Sequence, residues 1–271
     1  MNKGPLIGRG RTADIYAWGD DRVIKLFNAD CPLSWAQHEM EIAQIVEKAG
    51  LPAPHVEPEL VQADGRAGIV YERLCGISML RLLQSKPWKV AALGRLMADL
   101  HAAIHRCTTT QLSTHKSRLQ RSIEQASPLP GMLRQAALKA LAGLPEGQTL
   151  CHGDFHPDNI IMTERGPRVI DWMTAAQGDP LADVARTVMI LRLGDAPSGV
   201  RGRWLISFLR DTFYASYINR YLYAGSIMRR DVDAWQLPTM AARLNEEIPA
   251  EHGRLLRLIE EALTEQETAG A

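Results

Sequence analysis

Strand-like and helix-like patterning are unevenly divided along this chain, and that division limits its fold more than any other feature. Leu6 to Trp18 alternates loosely between apolar and polar residues, Asp20-Asp21 makes a turn, and Val23-Ile24-Lys25-Leu26-Phe27 is a compact strand. One helix interrupts the strands. Ser34 is placed to cap it, the run reaches Ala49, and Gly50 with Leu51-Pro52-Ala53-Pro54 stops it. Ile69-Val70-Tyr71 is a further strand, ending near Gly76. From Ser78 the period changes: Leu93, Leu96, Met97, Leu100 and Ile104 recur at three- and four-residue steps, an amphipathic helical stripe. Residues 108–130 read as a polar connector holding one short helix. Ile160-Ile161-Met162 and Arg168-Val169-Ile170 form a strand pair around Glu164-Arg165-Gly166-Pro167, and the remainder is mostly helical. Strands segregated from helices predict an α+β chain with two unequal lobes, a small β-rich one over 1–75 and a larger helical one over 76–271.

Length and charge narrow the class. At ~150 residues per domain, 271 residues suggest two domains or two lobes. Lys and Arg number 31 and Asp and Glu 31, so the chain lacks the basic excess that phosphate neutralisation requires, and no nucleic-acid partner is expected. Cys31, Cys75, Cys107 and Cys151 form no CxxC pair, which excludes a zinc knuckle or a thioredoxin-like motif. Met1-Asn2-Lys3-Gly4-Pro5 lacks the apolar run of a signal peptide, and runs such as Val188 to Leu191 fall far short of the ~20 residues that span a bilayer. A cytoplasmic protein without a membrane partner is the expectation; oligomeric state is left open.

Chemistry concentrates in Cys151-His152-Gly153-Asp154-Phe155-His156-Pro157-Asp158-Asn159, followed by Ile170-Asp171-Trp172. Phosphoryl transfer needs a carboxylate that orients the acceptor hydroxyl and accepts its proton, together with oxygen ligands for Mg²⁺ on the nucleotide phosphates. His-x-Asp-x-x-x-x-Asn supplies both from one loop, Asp154 for the acceptor and Asn159 for the metal, and a second strand brings Asp171 as the metal carboxylate. One Asn and one Asp suffice, because Mg²⁺ binds few protein oxygens alongside phosphate oxygens. The Asp154–Asn159 spacing equals that of the kinase catalytic loop, with Gly153 in place of its Arg.

These residues, with Gly178-Asp179-Pro180-Leu181-Ala182-Asp183-Val184-Ala185, resemble the aminoglycoside phosphotransferase/choline kinase family. Upstream, Glu72-Arg73-Leu74-x-Gly76 is similar to that family's interlobe hinge, and Leu96 to His101 to its long helix. The resemblance covers nearly the whole chain, weakest in 108–145 and after 190. It implies a bilobal, protein-kinase-like fold and an ATP-dependent phosphotransferase, with GTP as the alternative donor, Mg²⁺ as cofactor and a small-molecule hydroxyl as acceptor. The hinge backbone at Glu72 and Leu74 would then hold the nucleotide. Aminoglycosides, macrolides, choline, sugars, homoserine and fructosamines are all acceptors within this fold, so the resemblance does not choose one.

The N-terminal residues can be read against the same chemistry. Gly8-x-Gly10 could let backbone amides approach phosphates, although Ala13 replaces a third glycine and Asp14 adds a negative charge; otherwise it is a tight turn. Lys25 shares a strand face with Val23 and Phe27, and is either a snorkelling surface lysine or, as preferred in this context, a phosphate-holding one. Such a lysine needs a carboxylate. Ile42, Ala43, Ile45, Val46 and Ala49 define the helix's apolar stripe, and Glu39 falls at its edge while Glu41 falls outside it, so Glu39 is the expected partner.

The remaining polar residues read mainly as supports. His152 would pack beneath the catalytic loop, and Asp179 and Asp183 would tie the following segment to it. Phe213, Tyr214, Tyr217 and Tyr221 recur at helical spacing, favouring core packing over an aromatic wall for an acceptor. Glu246 and Glu247 are candidates if the acceptor carries an amine. Two other classes compete: a metal-dependent hydrolase built on His152, Asp154, His156, Asp158 and Asp171, and a catalytically silent nucleotide-binding module. The first leaves Lys25, Glu39 and the hinge unexplained; the second is disfavoured because lysine, catalytic Asp and metal Asp are all present.

Overall fold

A computed structural model describes residues 3–193 and 203–269. The chain opens with strands β1 (Lys3–Arg9), β2 (Ala13–Trp18) and β3 (Arg22–Phe27), helix α1 (Leu33–Lys48), and strands β4 (Val61–Ala63), β5 (Arg66–Glu72) and β6 (Gly76–Ser78). Helices α2 (Met79–Ser85), α3 (Val90–Ile104), α4 (His115–Gln125) and α5 (Gly131–Ala142) follow, then strands β7 (Thr149–Cys151), β8 (Ile160–Thr163), β9 (Gly166–Val169) and β10 (Ala176–Gly178). The chain continues through helices α6 (Pro180–Leu193), α7 (Arg203–Gly225), α8 (Arg229–Asp233), α9 (Gln236–Arg243) and α10 (Pro249–Ala269). These elements form two compact units. The first runs to Leu82 and regains the chain at Pro157–Thr174; the second comprises Leu83–His156 and the segment from Ala175 onward.

In the first unit, five antiparallel strands lie in the order β1-β2-β3-β5-β4. Strand alternation gives this sheet two apolar faces. Ile24 and Leu26 of β3 pack with Trp18 and Val70 on one face. Phe27 packs with Ala13 and Ile69 on the other, where Ala36 of α1 and Val56 cover it. Lys25, two residues before Phe27 and opposite Ile69, belongs to the face that α1 covers. Helix α1 begins two residues earlier than a Ser34 cap would place it: Pro32 is the N-cap, no side chain caps the helix, and the Trp35 amide bonds the Pro32 carbonyl at 3.0 Å. The fixed φ of proline starts this helix in place of a hydroxyl. Its end is as expected, with Gly50 at φ 69° supplying the left-handed residue past the C-cap. A second sheet, β6-β8-β9, ties Pro157–Thr174 to this unit, so Asn159 and Asp171 belong with residues from the chain's first 82.

The second unit is helical around a two-stranded β7–β10 ladder. Helix α3 lies against α7, and Gly94 permits the approach: a Cβ there would stand 2.7 Å from the Phe213 carbonyl oxygen. Phe213, Tyr217 and Tyr221 face inward as core residues, while Tyr214 lies under the guanidinium of Arg229. Helix α9 is surrounded by α4, α5, α6 and α10. All four cysteines are free thiols, and no helix among the described residues is long and apolar enough to cross a membrane.

Candidate active site

Two periodicities set the charged centre of the first unit. Strand alternation turns Lys25 toward α1, and the helix's buried stripe of Ala36, Glu39, Ile42 and Val46 turns Glu39 toward the sheet. The Lys25 Nζ lies 2.7 Å from Glu39 Oε1 and 3.3 Å from Asp171 Oδ1. Lys25 is 14% exposed and Glu39 only 3%. Glu39 is therefore in the middle of the stripe rather than at its edge, and Ala49, counted in the stripe from spacing, is exposed. The Tyr71 hydroxyl donates to Glu39 Oε1 at 3.3 Å, whereas Glu39 Oε2 is buried without a partner. Burial opposes charge on Lys25, but Glu39 and Asp171 outweigh it and raise the ammonium above its ordinary pKa.

Asn159 and Asp171 stand at one end of the β8–β9 ladder. The Ile170 amide donates to the Asn159 carbonyl at 3.0 Å, which places Asp171 next to the residue paired with Asn159. Asp171 adopts φ 63°, a left-handed backbone rare for a residue with a side chain. Its half-exposed carboxylate and the Asn159 side-chain amide oxygen are hard oxygen donors, the ligand chemistry Mg²⁺ takes. The glycine loop differs from expectation: Gly8 lies inside β1 opposite Ile15, and the Gly10 amide closes the β1–β2 hairpin on the Ala13 carbonyl at 2.8 Å. At the end of β5 the Glu72 amide bonds His55 O and the Arg73 amide bonds Asp21 O, both at 2.8 Å, while the Glu72 carboxylate pairs with Arg165.

The second unit holds Asp154 on the loop after β7. Asp183, wholly buried at the start of α6, accepts the backbone amides of His152 at 2.5 Å and Gly153 at 2.9 Å. Its Oδ2 also meets His101 Nε2 at 3.1 Å and His105 Nε2 at 3.3 Å. The far nitrogens of those rings meet Tyr217 and Tyr221 hydroxyls at 2.7 and 2.6 Å. A ring that donates from Nε2 to Asp183 and accepts a tyrosine hydroxyl at Nδ1 satisfies every partner here. Burial pushes the Asp183 carboxyl up, and His101 and His105 reverse that, holding it well below the carboxylate range. Burial also lowers His101 to about 3.

Asp154 faces His156 Nε2 at 3.4 Å and Arg186 Nη2 at 3.6 Å. Burial opposes its charge, but the His156 hydrogen bond, Arg186 and His152 prevail and lower its pKa to about 2. His152 is buried and its Nδ1 accepts the Asp154 amide at 3.2 Å, a bracing role rather than a metal-binding one. Among the described residues, the one group of His, Cys, Asp and Glu side chains close enough to share an ion is His101, His105 and Asp183. Glu246, a candidate for an acceptor amine, is engaged by Arg186 at 2.7 Å and Arg243 at 2.5 Å; Glu247 is exposed at φ 52°. Sequence reading missed Tyr71, His105 and Arg186. The His101/His105 spacing of four on one helix was a readable signal; for Arg186 the only one was its place one turn after Asp183.

A profile of the phosphotransferase enzyme family, APH, matches residues 4–235. The chain belongs to the phosphotransferase enzyme family. Among solved structures, a thermostable mutant of aminoglycoside phosphotransferase APH(4)-Ia superposes with TM-score 0.66 at 17% identity, covering 99% of this chain and 96% of that one. The same enzyme in ternary complex with AMP-PNP and hygromycin B gives 0.66 at 16% identity, covering 98% and 93%. A choline/ethanolamine kinase family protein from Mesorhizobium loti gives 0.57 at 17% identity, covering 96% and 88%. Acyl-CoA dehydrogenase family member 11 of Mus musculus is 36% identical over 78 residues, 28% of this chain, and the match spans only 10% of that protein's length. This member of the family thus has the kinase-like fold.

Proposed function

We propose that the chain transfers the γ-phosphoryl group of ATP to a hydroxyl of a small molecule. The observation that carries this reading is Lys25, a buried ammonium held between the carboxylates of Glu39 and Asp171. A cation in that setting is oriented to meet phosphate oxygens. In this reading Lys25, fixed by Glu39, and the backbone at Glu72 and Leu74 hold the nucleotide, with the Gly8–Gly10 hairpin near its phosphates. Asn159 and Asp171 would hold Mg²⁺, which neutralises charge on the phosphates when bound. Asp154 orients the acceptor hydroxyl. As the acceptor oxygen bonds to the γ-phosphorus and the bond to the ADP oxygen breaks, the hydroxyl proton passes to the Asp154 carboxylate and then to water. The transition state is largely dissociative, so positioning matters more than basicity. A carboxyl with a pKa of about 2 stays ionised at neutral pH and serves that purpose.

The test is ADP release from Mg·ATP against a panel of hydroxyl-bearing metabolites and antibiotics. One acceptor class should accelerate it, and Asp154→Asn should lower that turnover by at least ~100-fold with nucleotide affinity little changed. Turnover of the wild-type size in Asp154→Asn would remove Asp154 from the reaction.

A further inference from the structure

We propose that Arg186 is a positioning residue that locks the Asp154 loop to the wall formed by α9 and the turn after it. This rests on the reading of Asp154 as the acceptor-side carboxylate. Helix α6 grips Gly153 at both poles of its backbone. Asp183 accepts the Gly153 amide, and three residues later the Arg186 Nε donates to the Gly153 carbonyl. Gly153 has φ 80°, so the two grips fix a backbone geometry that a side chain would resist. The same guanidinium directs Nη2 at Asp154 Oδ1, 3.6 Å away, and Nη1 at Glu246 Oε1, 2.7 Å away.

The wall is itself braced. Glu246 Oε2 accepts from Arg243 Nη1 at 2.5 Å, and Arg243 forks onto both oxygens of Glu251 at 2.8 and 3.1 Å. An ionic chain therefore runs Asp154–Arg186–Glu246–Arg243–Glu251, joining the loop, α6, α9, the turn after α9 and α10. The side chains of Arg186 and Arg243 are 14% and 12% exposed, so solvent screens these pairs less than surface ones. The titratable and charged groups facing Asp154 are His152 and His156 from its own loop, Arg186 from α6, and Arg243 from α9; Glu246 reaches it through Arg186. With Oδ1 toward Arg186 and Oδ2 toward His156, each carboxylate oxygen has a cation or ring nitrogen beside it that sets its orientation. A planar fork can hold three groups in one plane; a lysine ammonium cannot.

The test compares wild type, Arg186→Gln, Arg186→Lys and Asp154→Asn. Carboxyl carbons of isotope-labelled aspartate are followed by NMR from about pH 6 to about pH 3, the Asp154 signal being the one absent from Asp154→Asn. In wild type and Arg186→Lys that signal should stay ionised. In Arg186→Gln its midpoint should rise by about one unit or more. Both Arg186 variants should lower kcat for ADP release from Mg·ATP about 10- to 100-fold, with KM for ATP unchanged. An unmoved Asp154 titration in Arg186→Gln overturns the proposal, as does full kcat in Arg186→Lys. If Arg186→Gln fails to fold, the kcat-against-KM split of Arg186→Lys decides. Full turnover in Asp154→Asn would instead remove the reading on which the proposal rests.

Discussion

Lys25 of β3 and Glu39 of α1 form a buried ion pair, and one of them cannot be removed alone without stranding the other. Lys25→Met should cost about 3 kcal/mol of folding free energy because it leaves Glu39 uncompensated, and pairing it with Glu39→Leu should recover most of that loss. Urea denaturation of the two single variants and the double variant measures both. Asp171 sits at the other side of Lys25 with a left-handed backbone that glycine adopts without strain. Asp171→Gly should therefore abolish Mg²⁺-dependent nucleotide stabilisation in a thermal-shift assay without lowering the melting temperature of the bare protein. An undiminished nucleotide shift would send the metal role to another carboxylate. Lys25 and Glu39 were legible because each obeys one local period, two for the strand and 3.6 for the helix. Arg186 was not, because its partners Gly153 and Glu246 lie 33 and 60 residues away and no local pattern encodes them.

At the scale of elements, α3 and α7 approach at Gly94 more closely than a Cβ there would allow. Gly94→Ala gains helix propensity worth about 1 kcal/mol, yet its Cβ would meet a backbone oxygen at 2.7 Å and Ser216 Cβ at 2.9 Å. Overpacking typically costs 1–3 kcal/mol, so the net effect should be a lower melting temperature. A rise would mean that the two helices separate freely. The strand and helix runs of the sequence anticipated most of these elements, since apolar periodicity reports the face a segment buries. Helix starts were less legible: Ser34 has the chemistry of a cap, but Pro32 sets the dihedral that begins α1. Gly8 looked like loop because glycine favours turns, yet cross-strand pairing with Ile15 keeps it in β1.

For the molecule as a whole, the buried histidines of the helical unit dominate the response to acid. Burial lowers His115 to about 4 and His101 to about 3, below the 6.5 of a free imidazole. The unfolded chain therefore takes up protons first as pH falls. Their contribution to stability is complete above pH ~6.5 and declines toward the folded values, by up to about 1.4 kcal/mol per pH unit for each histidine. Asp183 and Asp154, with lowered pKa values, add their own loss below the ordinary aspartate range. Melting followed by circular dichroism should show a falling midpoint from neutral to about pH 5; a flat profile would mean these histidines are hydrated in the native state. The connectivity of the two units carries a further consequence, for synthesis. Lys25 and Glu39 leave the ribosome early, but the strands that bring Asn159 and Asp171 to the same unit emerge only after α3, α4 and α5 have been made. The nascent β-rich unit must wait, without Asp171, while much of the other unit is translated. A nascent chain halted before residue 171 would carry the lysine and its glutamate but not Asp171, so under the proposed roles nucleotide capture would be a checkpoint that translation passes late.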